Sequence, residues 1–317
     1  MLRSGSPWTG LWTVVGKEMT DHFSSVRTRL MEILIVVAAI GAVYASIENL
    51  RETVGEDPFL FLRIFTTARD PLISFTAFLG FLVPLLAIGL GFDSVNSEQA
   101  NRTLSRVLSQ PIYRDALLLG KFLAGLFTLA IMLLALWLLI FGLGLIFLGV
   151  PPNGEETLRA FAFLFVTVAY GGVWLALAML FSTLFRQPAT AALAALAVWL
   201  LLAVFWSMLA SVAASALAGE SSNVIATAVR QLEIQMAIAR LSPNTLYGEL
   251  ALALLNPATK TFGPVFFAEA KGMLMGAPLP VSQSLLLVWP HVTGLVSAVI
   301  VLFTTGYVRF QRQEIRA

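Results

Sequence analysis

The residues able to do chemistry in this chain are few and far apart. There is no cysteine, which excludes disulfides, thiolate metal sites and cysteine nucleophiles, and the two histidines, His22 and His291, are too isolated for a zinc or iron centre. Glu155 and Glu156 are followed by Arg159, a spacing one position too short for a paired-acid intramembrane hydrolase, and no histidine pair follows. A serine–histidine dyad could recruit only His291, and no Gly-x-Ser-Gly run exists to supply the serine. His291 therefore reads as a polar interface residue. Glu32 could relay protons, but beside Arg29 at the start of an apolar run it reads as an ordinary interfacial acid. No Gly-x4-Gly-Lys-Ser/Thr loop occurs, and Gly120-Lys121 lacks the preceding loop, so this chain is not expected to bind or cleave ATP. What remains is residues 93–121, DSVNSEQANRTLSRVLSQPIYRDALLLGK. Val95, Leu104, Val107 and Leu108 fall among Glu98, Arg102 and Arg106, which predicts an amphipathic helix over 94–108, broken by Pro111. Such a helix between two apolar spans is a rigid lever for a soluble partner, and its chemistry is mechanical.

The elements that hold this lever are apolar. Of 317 residues 58% are hydrophobic and 12% charged, against about 25% charged in a soluble domain. Mean hydropathy is +0.85, and the solvent for most of the chain is lipid. A net charge of +2 is too small for a nucleic-acid footprint. Six windows are long and apolar enough to cross a bilayer as helices: 31–47, 72–92, 117–149, 158–185, 189–218 and 285–308. The third is read as one long span that ends softly at Gly149, Pro151 and Pro152.

Orientation follows from the basic residues. With both termini inside, that side holds Arg3, Lys17, Arg27, Arg29, Arg102, Arg106, Arg114, Lys121, Arg186, Arg309, Arg312 and Arg316, twelve of the twenty basic residues, with seven acids. The opposite side keeps eight basic residues and eleven acids, so cytoplasmic termini are expected. Ahead of the first window, residues 8–29 predict an interfacial helix through Leu11, Val15, Met19, Phe23 and Val26, with Trp8 and Trp12 at headgroup level. Residues 219–284 form an outside segment too long for a plain loop. Helices are expected there over 224–241 and 246–255, with a turn at Ser242-Pro243-Asn244 and a stop at Asn256-Pro257. The segment reads as a small lid over the bundle, or as a docking surface for an extracytoplasmic partner.

The pattern Glu98, Thr103-Leu104, Leu108, Ser109, Pro111, Ile112 and Arg114, then Gly120-Lys121 opening a span, resembles the permease subunits of type 2 exporter ABC transporters, including the nitrous-oxide-reductase maturation permease group. Lys17-Glu18 in the N-terminal helix and the six-span layout add to the likeness. The resemblance implies an all-α polytopic membrane protein and one ABC transmembrane domain over 1–317. Residues 1–29 would be the amphipathic elbow helix, 93–114 the cytoplasmic coupling-helix segment and 219–284 an extracytoplasmic helical insertion. It further implies ATPase coupling through Glu98, Arg102, Thr103, Leu104, Leu108, Pro111 and Arg114. The implied partners are a cytoplasmic ABC ATPase subunit and a second permease copy or paralogue, in the prokaryotic inner membrane, with no cofactor. Arg102 stands where that family often has Gly, which favours a longer helix. The competing reading is a secondary transporter or channel with no ATPase, but such carriers place ionisable or broken-helix sites near the midplane, and the middle of each proposed span is uncharged.

Overall fold

The computed structural model describes residues 8, 10–50, 59–67, 74–101, 113–149, 151–219, 224–262 and 278–312, and every regular element among them is helical. In chain order these are α1 (Leu11–Ser24), α2 (Val26–Leu50), α3 (Leu60–Thr66), α4 (Phe75–Gly91), α5 (Asn96–Ala100), α6 (Arg114–Leu148) and α7 (Gly154–Leu184). They continue with α8 (Pro188–Leu200), a π-helical turn (Leu201–Phe205), α9 (Trp206–Ala218), α10 (Val224–Ala239), α11 (Pro243–Leu255) and α12 (Val281–Gln311).

Among the described residues, five stretches are long and apolar enough to cross a membrane: Phe75–Ala100, Arg114–Leu148, Gly154–Leu184, Pro188–Ala218 and Val281–Gln311. The sixth expected window, 31–47, lies within α2, which is not among those five. The long third window is one continuous helix of 35 residues; Gly149 then takes a left-handed φ of 69° that only glycine adopts without strain, ahead of the two prolines.

The centre of the fold is α7. Of its most apolar window 78% is buried, against 11% for Pro188–Ala218 and 17% for α12. Its start is fixed by a capping box: Asn153 Oδ1 accepts from Glu156 N at 2.7 Å, and Glu156 Oε2 accepts from Asn153 N at 2.9 Å. The other Glu156 oxygen accepts the N–H of Phe61 at 2.9 Å, which ties α3 to the same helix end. One turn on, the fully buried Arg159 spends its donors on Glu155, Ser284 and the carbonyls of Leu254 and Leu279. The acidic pair and Arg159 are thus an anchor that joins α7 to the end of α11 and the start of α12.

Two expectations change. The N-terminal amphipathic helix does not run to Arg29. It stops at Ser24, Ser25 is extended, and α2 begins at Val26. Ser24 Oγ donates to Asp21 O at 3.1 Å, so the serine competes for a backbone carbonyl and the chain can change direction there. The second change concerns the segment after α9. Its helices form where expected, and Ser242 accepts from Asn244 N as a cap, but they do not lie across the bundle's end as a lid. Ser242 Oγ donates to Leu202 O at 2.9 Å and Trp206 Nε1 donates to Ile238 O at 2.9 Å. Leu202 is about 24 Å along the helix from Ala218, so the turn between α10 and α11 reaches half-way down the neighbouring span. The reason is composition: α11 buries Tyr247, Leu250, Ala251, Ala253, Leu254 and Leu255, a surface too apolar to face water.

Candidate functional site

At the end of the bundle where α1, α5 and the start of α6 meet, charged side chains converge on one lysine. Lys121 Nζ lies 2.9 Å from Glu18 Oε1 of α1 and 2.8 Å from Glu98 Oε1 of α5. The three side chains are 5%, 13% and 15% exposed, so the ammonium is held almost out of water between two carboxylates. Gly120 makes this approach possible. A Cβ there would stand 2.7 Å from Val14 Cγ1, so only glycine lets α1 close enough for Glu18 to reach Lys121. Burial pushes the Glu18 carboxyl up, but the charge and hydrogen bond of Lys121, with help from Lys17, outweigh it and hold the group below the usual carboxylate range. Nearby, burial lowers His22, and the charges of Arg27 and Lys121 add to this against Glu18 and Asp93.

The same end clamps α5 from two more sides. Ser182 Oγ, near the end of α7, accepts the N–H groups of Val95 at 2.9 Å and Asn96 at 3.2 Å, donors that a helix start otherwise leaves unsatisfied. Arg27 of α2 forks onto Asp93, with Nη1 2.7 Å from Oδ2 and Nη2 3.3 Å from Oδ1, and its guanidinium lies 4.7 Å from the centre of the Phe92 ring. At the start of α6, Asp115 Oδ1 accepts from Tyr307 Oη at 2.9 Å and from Gln311 Nε2, which brings in the end of α12.

Of the residues singled out from sequence, Glu98 sits in this cluster and Arg114 opens α6. Glu98 pairs with Lys121, its side chain 15% exposed. The helix expected over 94–108 is seen as α5 with Asn101 as its C-cap, while Arg102, Thr103, Leu104, Leu108 and Pro111 lie outside the described residues. Sequence reading missed Ser182 and the Arg27–Asp93 fork, and it used Glu18 only as part of the Lys17-Glu18 likeness, with no partner assigned. Glu18 left a signal: with Leu11, Val15 and His22 it falls at helical spacing on one stripe, an acid on an otherwise apolar face.

A second arrangement lies half-way along the bundle. Pro84 of α4 has no N–H, so the carbonyl of Gly80 four residues earlier loses its helical partner. The Tyr170 hydroxyl of α7 is 2.8 Å from that carbonyl and 2.7 Å from the side-chain amide of Asn244 on α11. One hydroxyl proton cannot serve both. It goes to the Gly80 carbonyl, which has no hydrogen to give, so Asn244, whose Oδ1 stands at 2.7 Å, bonds the hydroxyl only with its amide flipped to offer NH2. Tyr247 stacks on Tyr170 with centroids 4.3 Å apart and planes at 11°. Beyond it, Glu249 joins Arg240 by three bonds and His291 Nε2 at 2.5 Å, which fixes α11 to α12 and makes His291 the interface residue expected. Among the described residues no three His, Asp or Glu side chains converge as a metal site.

The model of the ABC-2 family of transporter proteins matches residues 12–315. The chain belongs to that family. The probable ABC transporter permease protein NosY of Pseudomonas aeruginosa is 29% identical over 195 residues, 60% of this chain and 65% of that relative. A protein of the same name from Stutzerimonas stutzeri is 25% identical over 202 residues, 62% of this chain and 68% of the relative. The chain thus covers slightly less than two thirds of the first relative and slightly more of the second. As an ABC-2 permease it is a multi-pass membrane protein, and Gly120-Lys121 joins α1 to α6 and α5 within it.

Proposed function

We propose that this permease is the membrane half of an ATP-driven exporter, with hydrolysis on a separate cytoplasmic ATPase subunit and a second permease copy or paralogue completing the transporter. The supporting observation is the clamp on α5. Lys121 links it to α6 and α1, Ser182 to α7, and the Asp93–Arg27 fork links the turn before it to α2. A push on the 93–114 segment is therefore delivered to four helices at once, which is what a coupling helix must do. In this reading α2 is the sixth span, since its 25 residues reach about 38 Å, and α1 is the elbow helix. Both termini are cytoplasmic and 219–284 enters from the outside. The ATPase contacts fall to Arg102, Thr103, Leu104, Leu108, Pro111 and Arg114, with Glu98 positioning α5 from within. The carrier reading has the helix breaks at Pro84 and Leu201–Phe205 and the Arg240–Glu249–His291 group in its favour, while Lys121 and Arg159 lie toward the ends of their helices and weigh against it.

The chain has no cysteine, so each introduced one is unique. Leu104→Cys, carrying a short bifunctional crosslinker in native membranes, should join a subunit whose sequence holds a Walker lysine loop, and Ser222→Cys should not. An adduct from position 222 and none from 104 would invert the topology and remove the coupling assignment.

A further inference from the structure

Ser182 stands near the end of α7 and is fully buried, and its Oγ accepts the N–H groups of both Val95 and Asn96, at 2.9 and 3.2 Å. Those two residues are buried as well, so water does not compete for either bond. The end of α4 reaches this contact along the same face of α7. A Cβ at Gly91 would stand 3.0 Å from Leu175 O and 3.1 Å from Ala178 Cβ, and Leu175, Ala178 and Ser182 follow one another at helical spacing. Gly91 therefore seats α4 directly on α7, and Ser182 fixes the turn that leads from α4 into α5. A displacement of that turn takes α7 with it, because parting the two would leave two buried N–H groups without their acceptor.

Stiffness decides where that displacement goes. Three of the five apolar stretches are jointed: α4 at Pro84, Pro188–Ala218 at the π-helical turn, and α12 at Pro290. α7 runs unbroken for 31 residues with no proline, and at its one glycine pair a side chain on Gly171 would collide with Leu129 of α6. α6, also unbroken, braces it further along, where Trp137 Nε1 donates to Ala160 O at 3.2 Å. At the far end stands Arg159, about 35 Å from Ser182 along the helix, and its guanidinium donates to Leu254 O, Ser284 Oγ and Leu279 O. One stiff helix is thus bonded at one end to the turn before α5 and at the other to the end of α11 and the start of α12. Within the ATPase reading, on which this rests, we infer that Ser182 is the positioning residue through which the 93–114 segment drives α7. α7 then carries the displacement as a beam to Arg159, which shifts the start of α12.

The test uses the complex purified from native membranes, with an environment-sensitive fluorophore on Gln283→Cys, an exposed position beside Ser284 in a chain without other cysteines. A non-hydrolysable ATP analogue should shift its emission. Ser182→Ala should cut that shift about threefold or more while the complex still assembles and binds the analogue as before, a split that a merely structural role would not give. Ser182→Thr keeps the acceptor and should restore the shift. Leu184→Ala, at an exposed position on the same helix end, should leave it unchanged. If Ser182→Ala does not assemble, Arg159→Lys decides: it keeps the buried charge without the planar fork and should cut the shift alike. A shift that Ser182→Ala or Arg159→Lys leaves at its native size overturns the inference alone. A native preparation that holds no ATPase, or gives no shift, overturns the ATPase reading and the inference with it.

Discussion

Lys121 gathers three helices at one atom, and its replacement separates them. Lys121→Met leaves Glu18 and Glu98 facing each other without their shared cation, and breaking a buried pair of this kind costs about 3–5 kcal/mol. We expect α1 to detach at neutral pH, seen as new protease cleavage between residues 10 and 26 while α6 and α7 stay protected. Acid should do the same to the native chain. The Glu18 carboxyl is held below its usual range, so its contribution is complete above the unfolded value of about pH 4.3. It is lost as pH falls from there through the lower folded value. Cleavage that is identical at pH 7 and pH 3, and identical in Lys121→Met, would contradict the cluster's role. From sequence, Gly120-Lys121 was visible as a motif without its cause. The cause is tertiary: the glycine admits Val14, and the lysine meets an acid 103 residues away.

At the scale of elements, breaks in the helices take partners from elsewhere. The Gly80 carbonyl freed by Pro84 is satisfied by Tyr170, and the π-helical turn is held by Ser242. Tyr170→Phe should therefore orphan a buried carbonyl and destabilise by about 1–3 kcal/mol. Pro84→Ala supplies the missing N–H from within α4, so the double variant should lose clearly less than Tyr170→Phe alone. Additive losses in thermal or denaturant unfolding would show that the two sites are not coupled. Apolar windows and caps were legible because they are local, and they placed α4, α6, α7, α10, α11 and α12 close to where they stand. The descent of α10 and α11 beside α9 was not, since amphipathic spacing says which face is buried but not against what. Tyr247 and Leu250 carried the hint: α11 is apolar nearly all round, which a lid would not be.

At the scale of the molecule, α7 is the enclosed axis and Pro188–Ala218 shows most of its surface outward. Family membership shows a permease. The claim that reaches furthest is that an external motor drives it through the 93–114 segment, and hydrolysis measured on the complex tests it most directly. The chain, tagged at its C-terminus, is purified in mild detergent from its native membranes. We predict a co-purifying subunit with a Walker lysine loop and ATP hydrolysis that falls several-fold in Leu104→Asp preparations, whereas Arg309→Glu, on an exposed position at the same end, leaves it unchanged. A preparation with no such subunit and no hydrolysis, or a Leu104→Asp complex that hydrolyses ATP as the native one does, would contradict the account.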